Sequence, residues 1–139
     1  MVILCHVGPW SKLFFEDILK NIKKCKQYSL ISTHSCSDNT NLNYKYQSFL
    51  NKYKKTTIKA SIEDIDIIKR CRLLRCLDEE IALKHLVSMR MAVIEVLDDI
   101  QPNIFITETI DSYVMDIIHR ESLKRNIKCI GLVNSFING

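Results

Sequence analysis

The stretch DDIQPNIFITETIDSYVMDIIHRESLKRNIKCIGLVNS, residues 98–135, decides the fold class of this chain. Pro102 cannot continue a helix, and the β-forming run Ile104–Thr107 follows it closely. Asp111 or Ser112 can then cap a helix whose Val114, Ile117 and Ile118 share one apolar face. Asn126 can end this helix, and a second apolar run follows. Strand, helix and strand over about thirty residues form a βαβ unit, whose strands are parallel and whose crossover is right-handed.

The remainder of the chain predicts the same alternation of strands and helices. Residues 2–7 and 28–33 are typical of buried strands, and Ser11 can cap a helix between them. Residues 42–53 carry apolar side chains at helical spacing, and residues 56–60 have the composition of a short third strand.

Residues 61–100 predict helix throughout, and the second half has one apolar stripe of Leu86, Met89, Val93, Val96, Leu97 and Ile100. The whole segment forms one kinked helix or, as we prefer, two helices that separate near residues 76–78. The full pattern predicts a three-layer α/β/α Rossmann-like domain with a central, mostly parallel sheet. We expect the strand order 3-2-1-4-5, with residues 2–7, 30–33, 104–107 and 129–133 as buried strands.

Size and composition are those of one globular domain. The chain has 139 residues, of which 47% are apolar and 26% charged. A chain of this length can bury a core without stabilising disulfides or metal ions. Its six cysteines lack the regular spacing of a disulfide framework, so we expect a reducing, cytoplasmic environment. The pairs His34-x-Cys36 and Cys71-x4-Cys76 do not match zinc-site spacing, so no metal is expected.

Charge is distributed unevenly along the chain. Residues 1–60 hold ten lysines and three acids, a net charge of +7, whereas residues 61–139 have a net charge of −3. This asymmetry is typical either of an ordinary solvated surface or of a basic surface that meets an anionic partner. Basic and aromatic residues do not interleave, so nucleic acid is not an expected partner. Peripheral contact of the basic helices with a membrane is compatible with the pattern.

A candidate ligand site follows from the predicted topology, because ligands of open parallel sheets bind at the carboxyl ends of the strands. Glu108 is the first candidate for a catalytic base and His34 the second. Asp111 can act either as a helix cap or in the site, and Trp10 can be a stacking surface or a lid on the core. The residues expected to line the crevice are Gly8, Trp10, His34, Glu108, Asp111 and Ser135.

The motifs HVGPWSKLFFEDIL near the start and IQPNIFITETIDSY…HRESLKRNIKCIGLVNSFING at the end carry a resemblance to a known family. They resemble the N-terminal Rossmann-like domain of GT-B glycosyltransferases, in particular capsule and surface-polysaccharide biosynthesis proteins. The resemblance covers the first strand and helix and the last forty residues. Such enzymes often have a Gly-rich first loop, whereas this chain has Gly8 alone.

The resemblance implies one Rossmann-like domain over residues 1–139, the acceptor-side N-terminal domain or a fragment of a longer enzyme. A sugar acceptor would bind here, and a C-terminal domain would hold the nucleotide-sugar donor, so this domain itself would carry no cofactor. The chain alone would then be inactive as a transferase. A dimer is compatible with an apolar face left exposed by a missing domain. The alternatives are a non-catalytic flavodoxin-like interaction module and a small nucleotide-binding protein.

Overall fold

The computed structural model describes residues 1–6, 17, 20–22, 27–31, 42–107 and 112–131. Its four strands are β1 (Val2–His6), β2 (Gln27–Ile31), β3 (Ile104–Thr107) and β4 (Lys128–Gly131). Its four complete helices are α1 (Leu42–Tyr53), α2 (Ile62–Arg70), α3 (Glu79–Ile100) and α4 (Tyr113–Lys124). Of the helix predicted after Ser11, only Asp17 and residues 20–22 fall in the described part, and Asp17 and Lys20 are helical.

The four strands form one parallel sheet in the order β2-β1-β3-β4. This confirms the predicted order of these strands, with β1 and β3 as neighbours. The predicted strand at residues 56–60 is wrong, because this segment has no regular structure and its side chains are exposed or half-buried. Its β-forming residues find no neighbouring strand among the described residues, and propensity alone does not make a strand.

The core lies between the sheet and the four helices. Leu4 of β1 and Phe105 of β3 contribute to it from the sheet, and α3 supplies an apolar stripe along its length. The predicted α3 stripe is confirmed: Leu86, Met89, Val93, Val96 and Leu97 are buried and Ile100 is half-buried. In α4 the predicted face of Val114, Ile117 and Ile118 is also buried.

The preferred division of residues 61–100 into two helices is confirmed, but the first helix ends earlier than expected. It stops at Arg70, since Cys71 takes an extended conformation with ψ of 115°, and a single 3₁₀ turn at Leu74–Cys76 precedes α3. Ile67, Cys71 and Leu74 are all buried at a spacing that also fits a continuous helix. The apolar pattern therefore could not reveal the break at Cys71.

Two of the predicted buried strands are confirmed and one is not. The inner positions of β1 and β3 are buried on both faces. In β4 Cys129 is half-buried and the other three residues are exposed, including Ile130 at 38%. The burial predicted for residues 129–133 is therefore wrong at residues 130 and 131, because β4 is the outer strand of the described sheet. Residues 132–133 lie outside the described part, as do the β2 side chains.

A buried ion pair fixes α2 against α3. Ser61 and Asp64 form a reciprocal capping box, in which the Ser61 amide donates to the Asp64 carboxylate at 2.8 Å. Arg90 of α3 also donates to that carboxylate, which is only 3% exposed. Burial acts to raise the pKa of Asp64, but the hydrogen bonds from Ser61 and Arg90 outweigh it and lower the pKa. Within the described part of the chain, no helix has the length and apolar content needed to cross a membrane.

Candidate functional site

The carboxyl ends of the four strands lie in one row. His6 of β1 is in register with Ile31 of β2 and with Thr107 of β3, and Thr107 is in register with Gly131 of β4. This is the edge at which ligands of open α/β sheets bind. The segments that leave these strand ends contain the sequence-predicted site residues, but all six lie outside the described residues: Gly8, Trp10, His34, Glu108, Asp111 and Ser135.

The first turn of α4 is anchored to the end of β3. Ser112 is the N-cap of α4, and its Oγ accepts a hydrogen bond from the Met115 amide at 3.4 Å. Of the two caps that the sequence allowed, Ser112 is thus used, whereas Asp111 is not described. The buried Thr107 hydroxyl donates to Met115 Sδ at 2.9 Å, which ties the helix start to the carboxyl end of the sheet.

A cleft of about 320 Å³ lies between the first turns of α4 and the end of α2. Its lining combines charged, hydroxyl, thiol and aromatic groups, so it can exchange hydrogen bonds with a polar ligand while offering an apolar surface to a ring. The lining residues are Ile67, Arg70, Cys71, Ser112, Tyr113, Asp116 and His119.

Behind this cleft, three neighbouring polar side chains connect three helices. Tyr113 of α4 lies beside Tyr46 of α1, and the Tyr46 hydroxyl shares a hydrogen bond with Nδ1 of His85 in α3. Burial, assisted by the neighbouring Tyr46, raises the pKa of Tyr113 far above its ordinary value. Burial also raises the pKa of Tyr46. Both phenols therefore stay protonated at neutral pH, and the Tyr46 hydroxyl shares a hydrogen bond with Nδ1 of His85.

The cleft walls are held together by Arg120. Its Nε donates to Asp116 one turn earlier in α4 at 2.7 Å, and its terminal nitrogen donates to Asp66 of α2 at 2.5 Å. The hydrogen bond to Asp116, and next that to Asp66, raises the pKa of Arg120, while Arg120 lowers the pKa of Asp66. Arg70 donates to Asp66 from the other side at 3.2 Å. Asp116 and Asp66 are thus already occupied, whereas His119 is exposed.

A second, smaller cavity of about 160 Å³ lies between α4 and the outer part of the sheet. Phe105, Thr107 and Gly131 line it from the strands, and Met115 and His119 line it from the helix. Cys129 completes the lining, and burial raises the pKa of its thiol, so that this sulfur is a poor nucleophile. His119 therefore borders both cavities.

The described residues place polar groups in both clefts. In them no group of three or more His, Cys, Asp or Glu side chains converges as a metal site. The described clefts offer hydroxyl, imidazole and guanidinium groups near the carboxyl edge, which suit a polar, hydroxyl-rich ligand. Glu108 and His34, the sequence-predicted candidates for a general base, lie in adjoining segments outside the described residues.

Several of these residues were not singled out from the sequence. Tyr113, Asp116 and Arg120 recur at spacings of three and four, which is the polar side of α4, and this signal could have indicated a functional face. Tyr46 and His85 are 39 positions apart, and no local pattern could have predicted their contact.

Comparison with known proteins adds no relative to this description. No protein-family model, no curated protein and no solved structure matches this chain.

Proposed function

We propose that this chain is the acceptor-side, N-terminal domain of a cytoplasmic GT-B glycosyltransferase in surface or capsular polysaccharide biosynthesis. The observation that carries the proposal is the change in direction of the sheet connections at β1. From β1 the chain proceeds to β2 on one side and later returns as β3 on the other side. Such a switch point opens a crevice at the carboxyl ends of the two central strands, where open α/β sheets bind their ligands.

The finer expectation of a three-layer Rossmann-like fold has support from side-chain alternation. Successive residues of a strand point to opposite faces of the sheet. Leu4 belongs to the core with the four helices, so Ile3 and Cys5 point to the other face, and both are fully buried. Ile106 of β3 is buried as well, while its neighbour Phe105 belongs to the helix-facing core. A second covering layer over β1 and β3 is consistent with this burial.

In the proposed reaction, Glu108 takes the proton of an acceptor hydroxyl, and that oxygen attacks the anomeric carbon of a nucleotide sugar held by a C-terminal domain. The bond from this carbon to the nucleotide phosphate breaks, and the nucleotide leaves with its electron pair. Glu108 follows the last residue of β3 directly, and Ser112 already serves as the cap of α4, so capping does not require Glu108. A polar cleft beside the same helix start, with Tyr113 as an aromatic surface, suits the ring and hydroxyl groups of a sugar acceptor.

The test is the turnover of a Glu108→Gln variant in a chain that includes the proposed donor domain. A positioned general base contributes about a hundredfold or more, so kcat should fall at least that far while stability changes little. Glu79→Gln is the matched control, because Glu79 is an exposed residue in the first turn of α3 and should leave kcat within about twofold. If Glu108→Gln retains turnover within a few-fold of the parent, Glu108 is not the base, and His34 becomes the residue to replace.

A further inference from the structure

The outer face of α2 exposes aliphatic side chains to solvent. Ile62 is 89% exposed and Ile65 is 40% exposed, and their spacing of three residues places them on the same side of the helix. Leu73, which follows the end of α2 closely, is 64% exposed. Ile67, on the opposite side of α2, is fully buried, so the inner face alone anchors this helix to the core.

Lysines flank these aliphatic residues in the sequence. Lys55 and Lys59 precede α2, and Lys69 lies two turns beyond Ile62 on its outer face. All three are exposed, and none forms an ion pair with any described residue. Between residues 39 and 62 the sequence contains five lysines and no acid.

The acids of α2 do not compensate this charge, because arginines and a lysine already bind them. Asp64 is paired with Arg90 inside the protein. Asp66 is shared between Arg70 and Arg120, and Glu63 lies 3.4 Å from Lys124.

From these observations we propose that this face docks on an anionic lipid bilayer, with its aliphatic side chains in the interface and its lysines at the headgroups. We call it the α2 surface and define it as Lys55, Lys59, Ile62, Ile65, Lys69 and Leu73. Aliphatic residues flanked by lysines are the composition of interfacial membrane-binding surfaces, and anionic headgroups complement the unpaired charge.

Other occupants fit the α2 surface less well. Nucleic acid would contact the lysines but not the exposed isoleucines and Leu73. Phosphate recognition in nucleic acid also uses arginine more often than lysine. A second copy in an isologous contact would place the same lysine-rich surface against itself. The bilayer alone uses both the charge and the aliphatic groups.

The experiment is co-sedimentation of the 139-residue chain with vesicles of phosphatidylcholine containing 30% phosphatidylglycerol, compared with phosphatidylcholine alone. Each lysine near an anionic bilayer contributes about fivefold to partitioning, so Lys59→Gln/Lys69→Gln should weaken binding by about thirtyfold. The matched control Lys20→Gln/Lys128→Gln removes two exposed lysines elsewhere and should change binding by about threefold or less. Ile62→Ser should weaken binding by about tenfold, and the exposed Leu123→Ser should not.

Binding to anionic vesicles alone, with loss only in the α2-surface variants, supports the proposal. It is overturned if the chain does not bind anionic vesicles, or if both lysine pairs have equal effects. Equal effects would mean that net charge rather than this surface drives binding. It is also overturned if a random single-stranded RNA binds more tightly than vesicles without sensitivity to Ile62→Ser. A concentration-dependent dimer in size-exclusion chromatography that Ile62→Ser abolishes would assign the surface to a second copy instead.

Discussion

Replacement of Arg90 by Met removes the partner of the most deeply buried carboxylate described in this chain. Asp64 is 3% exposed and would keep only the Ser61 amide, which donates at 2.8 Å. Breaking a buried ion pair typically costs about 3–5 kcal/mol, because the remaining charge is left uncompensated. The Arg90 side chain keeps 18% of its surface exposed, and the Ser61 hydrogen bond persists, so we expect about 2–3 kcal/mol here.

The assay is urea unfolding followed by circular dichroism, at pH 7 and at decreasing pH. In the parent protein the pKa of Asp64 is lowered, so its contribution is present above the unfolded pKa of about 4 and is lost as the pH falls through the folded value. In the variant, burial without Arg90 favours the protonated carboxyl, so the folded protein binds a proton more readily than the unfolded chain. The variant should therefore gain stability relative to the parent as the pH falls from 7 toward 4.

Lys20→Met is the control, since the Lys20–Asp17 pair is exposed on both sides and 3.7 Å apart. It should cost less than about 1 kcal/mol. The Arg90–Asp64 ion pair does not have this role if Arg90→Met changes the free energy of unfolding by less than about 0.5 kcal/mol at pH 7. The same conclusion follows if the difference from the parent does not narrow as the pH falls.

Further experiments test the sheet, the polar side chains behind the cleft and the proposed need for a second, donor-binding domain. Ile106→Asp should unfold the protein, because a charge in this buried central strand has no partner. The control Ile130→Asp, on the exposed outer strand, should remain folded. A native circular-dichroism spectrum and melting point for Ile106→Asp would contradict the strand assignment. Tyr46→Phe should lower the free energy of unfolding by about 1–3 kcal/mol, since it leaves the half-buried His85 without this hydrogen-bond partner. This loss should shrink as the pH rises above about 10, because the raised pKa of Tyr46 makes its ionisation destabilise the folded parent. A negligible or pH-independent loss would contradict the Tyr46–His85 hydrogen bond. The 139-residue chain alone should show no sugar transfer above a buffer blank, because donor and acceptor must be held in one cleft; measurable turnover would disprove the need for a second domain.

The sequence was sufficient for the parts of the fold that local patterns determine. The apolar stripe of α3, the strand at Ile104–Thr107 and the end of α4 before Asn126 all depend on neighbours in the chain. α4 ends at Lys124, and Asn126 has a φ of 56°, a conformation that asparagine adopts more easily than most residues. The order of the four observed strands agrees with the doubly wound order that the alternation of strands and helices predicts.

What the sequence could not supply depends on contacts between distant residues. The apolar run at β4 predicts burial, yet an outer strand leaves Ile130 exposed, and position in the sheet is not a local property. The composition of residues 56–60 favours a strand, but a strand needs a partner to accept its hydrogen bonds. The cleft between α2 and α4 brings together Arg70 and Tyr113 from separate helices, so no single motif could indicate it.

The most direct test of the proposed acceptor site is an amide NMR titration of the 139-residue chain. The probes are glucose, N-acetylglucosamine and glucuronic acid, with UDP alone as the nucleotide comparison. The reporters are the amides of His6, Thr107 and Gly131 at the carboxyl edge, compared with those of Ile104 and Lys128 at the opposite edge. We expect saturable shifts at the carboxyl edge with at least one sugar and none with UDP. Shifts with UDP but with no sugar, shifts confined to the opposite edge, or no shift with any probe would contradict it.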